Sequence, residues 1–175
     1  MFLRILSTLA CTVLLATTML AQDEATLSPP ATASVMLGGK AIKITYNTPS
    51  IRGRTIMGGL VPYGEVWRTG ANPATTIIIA ADLMIGTLKV PAGTYTIYTL
   101  PSATDWQLIV NKQTKQWGTE YHQDQDLGRV PMMKKDLGTP KEVMSISFEN
   151  TSGTKTDLHV KWEKTDVFVP VSLAK

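Results

Sequence analysis

Three arginines, Arg52, Arg54 and Arg68, share the stretch from Pro49 to Thr76 with Tyr63, Trp67 and Asn72. An arginine fork grips a carboxylate or phosphate through two parallel hydrogen bonds, an aromatic ring offers a stacking face to a sugar, and asparagine both donates and accepts. Only Glu65 opposes the three arginines locally. The set therefore reads as a site for a small anionic or carbohydrate-like ligand. A purely structural reading stands beside it, in which the arginines tie a long loop to acidic residues and backbone carbonyls while Trp67 plugs the core.

A second constellation is Glu120, His122, Asp124 and Asp126, spaced two apart. In an extended segment all four would project to one side, where carboxylates and an imidazole can hold a divalent cation. Asp124 to Gly128 resembles the start of a calcium loop, but the glycine is misplaced and Lys135 stands where the bidentate glutamate belongs. A solvated acidic loop is the better reading, with no metal assigned. Asp126 pairs instead with Arg129 or with the arginines of the earlier stretch, and both residues join the ligand-binding set. His159 alternates with Asp157, Lys161 and Glu163 and is expected on the surface.

Neither histidine lies near a nucleophile motif, and no GxSxG is present. Gly58-Gly59 is followed by Leu-Val-Pro rather than a helix start, so it is a turn and not a phosphate loop. No cofactor is expected. The set thus favours a non-enzymatic binding or interaction module, for a small ligand or an envelope protein. The alternative is a hydrolase or lyase acting on envelope or extracellular polymers, with Asp126, His122 or Glu65 as acid or base and Arg68 polarising the substrate.

The residues that position these groups begin after an export signal. Met1 to Arg4 is a short basic start, Ile5 to Leu20 an apolar run broken only by small and hydroxyl residues and Cys11, and Ala21 a small residue before Gln22. This is the layout of a secretory signal peptide over residues 1–21, giving a periplasmic or extracellular protein. Lipidation at Cys11 is not favoured, because Thr8 stands where leucine is expected. Cleavage removes the only cysteine and leaves no disulfide. The whole chain carries a net charge of +3, with basic residues scattered, which argues against nucleic acid, and nothing after the signal is apolar and long enough to span a membrane.

Residues 22–31 read as a loose leader, and residues 32–175 as one domain. A hairpin opens it, with alternating residues on either side of Gly38-Gly39. Thr75 to Ile85 is nearly continuous in apolar residues and reads as one central strand covered on both faces. Short strands follow at Leu88 to Val90, Thr94 to Leu100 and Trp106 to Val110. Asn111 to Glu142 reads as a second long loop. Strands return around Ile146, Leu158 to Trp162 and Val167 to Val171. The fold class is all-β, a single antiparallel sandwich or jelly-roll-like barrel of about eight strands with two long loops.

Tyr46 through Pro49, Gly53-Arg54, the run Gly58 to Gly64, the run Val66 to Asn72 and Thr75-Thr76 together resemble domain-of-unknown-function family 2911. So do Val90 to Tyr95 with Tyr98, Pro101, Trp106, Asn111, Gln116-Trp117-Gly118, Asp126 and Arg129-Val130. The likeness covers essentially the whole chain after the signal. It implies an exported bacterial protein, and it brings no activity with it.

Overall fold

The computed structural model describes residues 27–175; the expected signal peptide and Cys11 lie outside the described residues. The strands are β1 (Pro30–Leu37), β2 (Lys40–Asn47), β3 (Thr76–Ile79), β4 (Leu83–Ile85) and β5 (Leu88–Val90), then β6 (Gly93–Leu100), β7 (Trp106–Asn111), β8 (Asp126–Ser152) and β9 (Lys155–Leu173). They make one antiparallel sheet in the order β1-β2-β3-β6-β7-β8-β9-β4-β5, not closed into a barrel. The sheet doubles over itself. Its edge strand β1 packs against β8 and β9, and the Tyr46 hydroxyl of β2 accepts from the Ile146 amide of β8 at 3.0 Å. The all-β expectation holds.

Local chemistry sets the pieces. Gly38 and Gly39 both take positive φ, +51° and +77°, which fits the two-residue turn joining β1 to β2. Alternation then sends Leu37, Ile42, Ile44 and Tyr46 inward, where they meet Trp106, Leu108, Met144, Leu158 and Trp162 in one core.

Three expectations are corrected. Thr75 to Ile85 is two strands, because the chain bends at residues 80–82, where Asp82 accepts the Ala92 amide at 3.0 Å. β3 lies between β2 and β6 whereas β4 lies between β9 and β5, and Ile78 is exposed. The second loop is confined to residues 112–125, since β8 begins at Asp126. Its strand character is hidden in the sequence by Lys134-Lys135-Asp136 and Gly138-Thr139-Pro140, which lie on exposed positions and at a corner where the pairing with β9 slips between Asp136 and Lys141.

The same corner buries His159. Leu158, Val160 and Trp162 face the core before it, and Val167, Val169 and Val171 after it, so the inward parity switches across Glu163 and Lys164. Glu163 has φ +52°. The switch places Asp166 and Phe168 over the outer face at His159, whose ring stacks on Phe168 with centroids 4.8 Å apart. His159 is 1% exposed, and its Nδ1 lies 2.8 Å from Oδ1 of Asp166, which is 0% exposed. Around the pair, Lys135 and Lys161 approach the other Asp166 oxygen at 3.3 and 3.7 Å, and Glu149 lies 3.8 Å from the His159 Nε2. The Lys161 hydrogen bond holds the Glu149 carboxyl below its ordinary range.

Candidate functional site

The stretch after β2 is not a strand because its backbone repeatedly turns. Gly53, Gly58 and Gly64 take positive φ, as do Arg52 (+50°), Thr69 (+52°) and Asn72 (+60°). A β-branched residue such as Thr69 is strained there and needs fixing by its surroundings. Its hydroxyl donates to the Trp67 carbonyl at 3.2 Å and bonds the Thr99 hydroxyl at 3.1 Å, while its own carbonyl accepts from the Thr75 hydroxyl.

The stretch is docked at several points. The slip in β8–β9 pairing frees residues 142–144 to pair with residues 49–51: the Ile51 amide donates to the Glu142 carbonyl and the Met144 amide to the Pro49 carbonyl, each at 2.9 Å. Glu163 at the corner accepts the Met57 amide at 3.4 Å. Trp67 exchanges two backbone hydrogen bonds with Thr99 at the end of β6, at 2.8 and 2.9 Å.

Between this stretch and the loop at residues 117–121 lies a cavity of about 490 Å³. Of the residues singled out in the sequence, Arg52, Arg54, Trp67, Arg68 and Asn72 line it, as does Glu65. Tyr63 does not; it is exposed, and its ring covers Gly58. Trp67 stacks on Trp162 at 5.8 Å with ring planes 19° apart and meets the edge of Trp106, so the floor is aromatic and rigid.

The arginines are held by neutral acceptors. Arg52 Nη2 donates to the Leu27 carbonyl at 2.7 Å, and Arg54 donates to the Ile51 and Ser50 carbonyls at 3.0 and 2.6 Å. Among the described residues the Arg68 side chain reaches only the Gly70 carbonyl, through Nε at 3.4 Å. Among the described residues no carboxylate lies within 4.0 Å of any of the three guanidinium groups. The Arg68 stem instead lies on Gly118, where a Cβ would come 2.5 Å from Arg68 Cδ and 2.7 Å from the Asn72 carbonyl oxygen. Only glycine admits that approach.

Asp126 and Arg129 stand behind the cavity and not in it. Arg129 Nη2 pairs with Asp126 Oδ2 at 3.0 Å, and neither partner reaches the arginines of the first stretch. Asp126 also accepts from Asn111 at 2.9 Å and from the Tyr121 hydroxyl at 2.6 Å, while Arg129 donates to that hydroxyl at 2.7 Å. The network fixes Tyr121, which does line the cavity, and pushes its phenol up to about 12, first through burial and then through the Asp126 hydrogen bond. Its proton is committed to Asp126, so Tyr121 offers the cavity a ring.

The alternating acidic run does not form one face. Gln123 to Gln125 make a 3₁₀ turn, Glu120, His122 and Asp124 are exposed, and Asp126 is engaged as above. Among the described residues no three His, Cys, Asp or Glu side chains come together to hold a metal. Sequence reasoning missed Tyr98, Tyr121, Trp162 and Gly118, all of which line the cavity. Tyr121 had a signal, since it lies between two residues already marked for chemistry; Tyr98 and Trp162 read simply as strand residues.

No curated protein matches the chain, and no solved structure does. The family described as a protein of unknown function, DUF2911, matches residues 28–171, and the chain belongs to that family.

Proposed function

We propose that the chain is an exported, non-enzymatic binding module whose cavity takes a small anionic ligand with a sugar-like ring. One observation carries the reading. Three guanidinium charges line one cavity and, among the described residues, no carboxylate lies within 4.0 Å of any of them, although the same fold pairs Arg129 with Asp126 immediately behind it. The carbonyls that hold Arg52 and Arg54 orient the forks without neutralising them. The volume lies in the usual range for small-molecule pockets, and the stacked Trp67 suits a ring.

The hydrolase or lyase reading draws on fewer residues. Of its candidates only Glu65 and Arg68 line the cavity, whereas His122 is exposed outside it and Asp126 is committed to three partners.

Calorimetry with neutral sugars, sugar acids and envelope fragments tests the proposal. The expected result is binding of a sugar acid such as glucuronate over its neutral counterpart, with Arg68→Ala weakening it about tenfold or more. Uniform absence of binding, or binding indifferent to Arg68, overturns it.

A further inference from the structure

We infer that the ligand is a zwitterion, carrying an ammonium group as well as its anionic group, and that Glu65 receives the ammonium. The inference rests on the anion-binding reading above and names the ligand class for the same cavity.

Glu65 lines the cavity with Arg52, Arg54 and Arg68, yet among the described residues no cationic group lies within 4.0 Å of its carboxylate. Glutamate and arginine side chains are long, and in contact they would pair. Here the backbone keeps them apart. Gly64 donates its amide to the Pro101 carbonyl at 2.9 Å and Trp67 is bound in both directions to Thr99, so Glu65 stands on a segment pinned at both ends. Arg68 is fixed separately, its stem lying against Gly118. Trp67 comes between them in the chain and forms the floor.

The cavity thus carries both signs of charge, with no ion pair between them among the described residues, and an aromatic ring in the same lining. A ligand with one carboxylate and no cation satisfies the arginines and leaves Glu65 facing added negative charge. A ligand with both groups neutralises both signs, and its preference over a plain anion comes from attraction at Glu65 together with repulsion of the competitor. Asn72, which also lines the cavity, can serve a hydroxyl or amide of the ligand. An amino-sugar acid and a short peptide share this chemistry.

The test is calorimetry of the purified protein with glucuronate (anion only), glucosamine (cation only), muramate (amino-sugar acid) and alanylalanine (dipeptide). Muramate or alanylalanine is expected to bind about tenfold tighter than glucuronate, and whichever does identifies the source of the chemistry. Glu65→Gln should erase that margin, weakening the zwitterion and strengthening glucuronate as the like charge is removed. Glu65 is exposed and its carboxylate makes no hydrogen bond among the described residues, so this variant keeps the structure. Arg68-dependent glucuronate binding without the margin, or a margin that survives Glu65→Gln, overturns the zwitterion and leaves the anion site standing. Absence of Arg68-dependent binding for all four overturns both.

Discussion

Asp166 and His159 offer the sharpest test of what holds the corner at Glu163 and Lys164. Asp166→Leu removes a fully buried carboxylate that meets His159 at 2.8 Å and Lys135 at 3.3 Å. It strands the His159 Nδ1, whose companion Nε2 already has no hydrogen-bond partner among the described residues. Leaving one member of a buried pair costs about 3–5 kcal/mol, a large part of the 5–15 kcal/mol typical for a domain. His159→Leu leaves Asp166 its two lysines and forfeits the Phe168 stack, so about 2–3 kcal/mol is expected, from the lost hydrogen bond and the aromatic contact. The double variant strands neither group and buries two apolar side chains, and it should lie within about 2 kcal/mol of the parent. Urea unfolding of all four proteins at neutral pH measures the cycle. A coupling of about 3 kcal/mol or more is expected; additivity within about 0.5 kcal/mol would refute the claim that the pair acts as a unit.

Gly118→Ala places a methyl group 2.5 Å from Arg68 Cδ and 2.7 Å from a backbone oxygen. The side chain can move but the backbone must shift, so a loss of about 1–3 kcal/mol is expected in urea unfolding, together with weaker Arg68-dependent anion binding; an alanine variant as stable as the parent would contradict the packing described. Tyr121 has its phenol raised from 10.0 to about 12. A group raised in the folded state contributes stability below its unfolded pKa and loses it as the pH climbs through the folded one, so the protein should weaken from about pH 10 to 12. The difference between parent and Tyr121→Phe in a phenolate absorbance titration should centre near 12, and a difference curve centred near 10 would remove Asp126 as the acceptor of that proton.

Legibility in the sequence followed how local each signal is. The first hairpin was readable because alternation and a Gly38-Gly39 turn lie next to one another, and the irregular stretch was readable because Gly53, Gly58 and Gly64 interrupt it. β8 was not, since a strand that passes from β7 to β9 changes which residues face the core, and its polar corner looks like loop. His159 followed the rule of alternation, and the rule failed because a residue seven positions on, Asp166, is folded back over it after the parity switch at Glu163. Five of the eight marked ligand-site residues line the cavity, while Tyr63, Asp126 and Arg129 do not: spacing along a chain fixes which residues can be neighbours, but not which side of a network faces the open space.

The contrast between Arg68 and Arg129 bears on function more than either does alone. Both are half-buried, Arg68 on the irregular stretch that lines the cavity and Arg129 at the start of β8 behind it. Arg129 has a carboxylate at 3.0 Å, a phenol at 2.7 Å and a stem in the sheet; a charge so placed is neutralised from within and serves to orient Tyr121. Arg68 is given a glycine to lie on and, among the described residues, a single long hydrogen bond to a carbonyl. Stability alone would favour Arg129's arrangement at both positions, because an unpaired charge in a partly desolvated site carries a cost that an ion partner offsets. The fold instead fixes the Arg68 stem and leaves its fork open beside a rigid aromatic floor. Prepaid ordering of an unneutralised group is what a binding site requires, since the ligand then supplies the missing charge without the ordering cost.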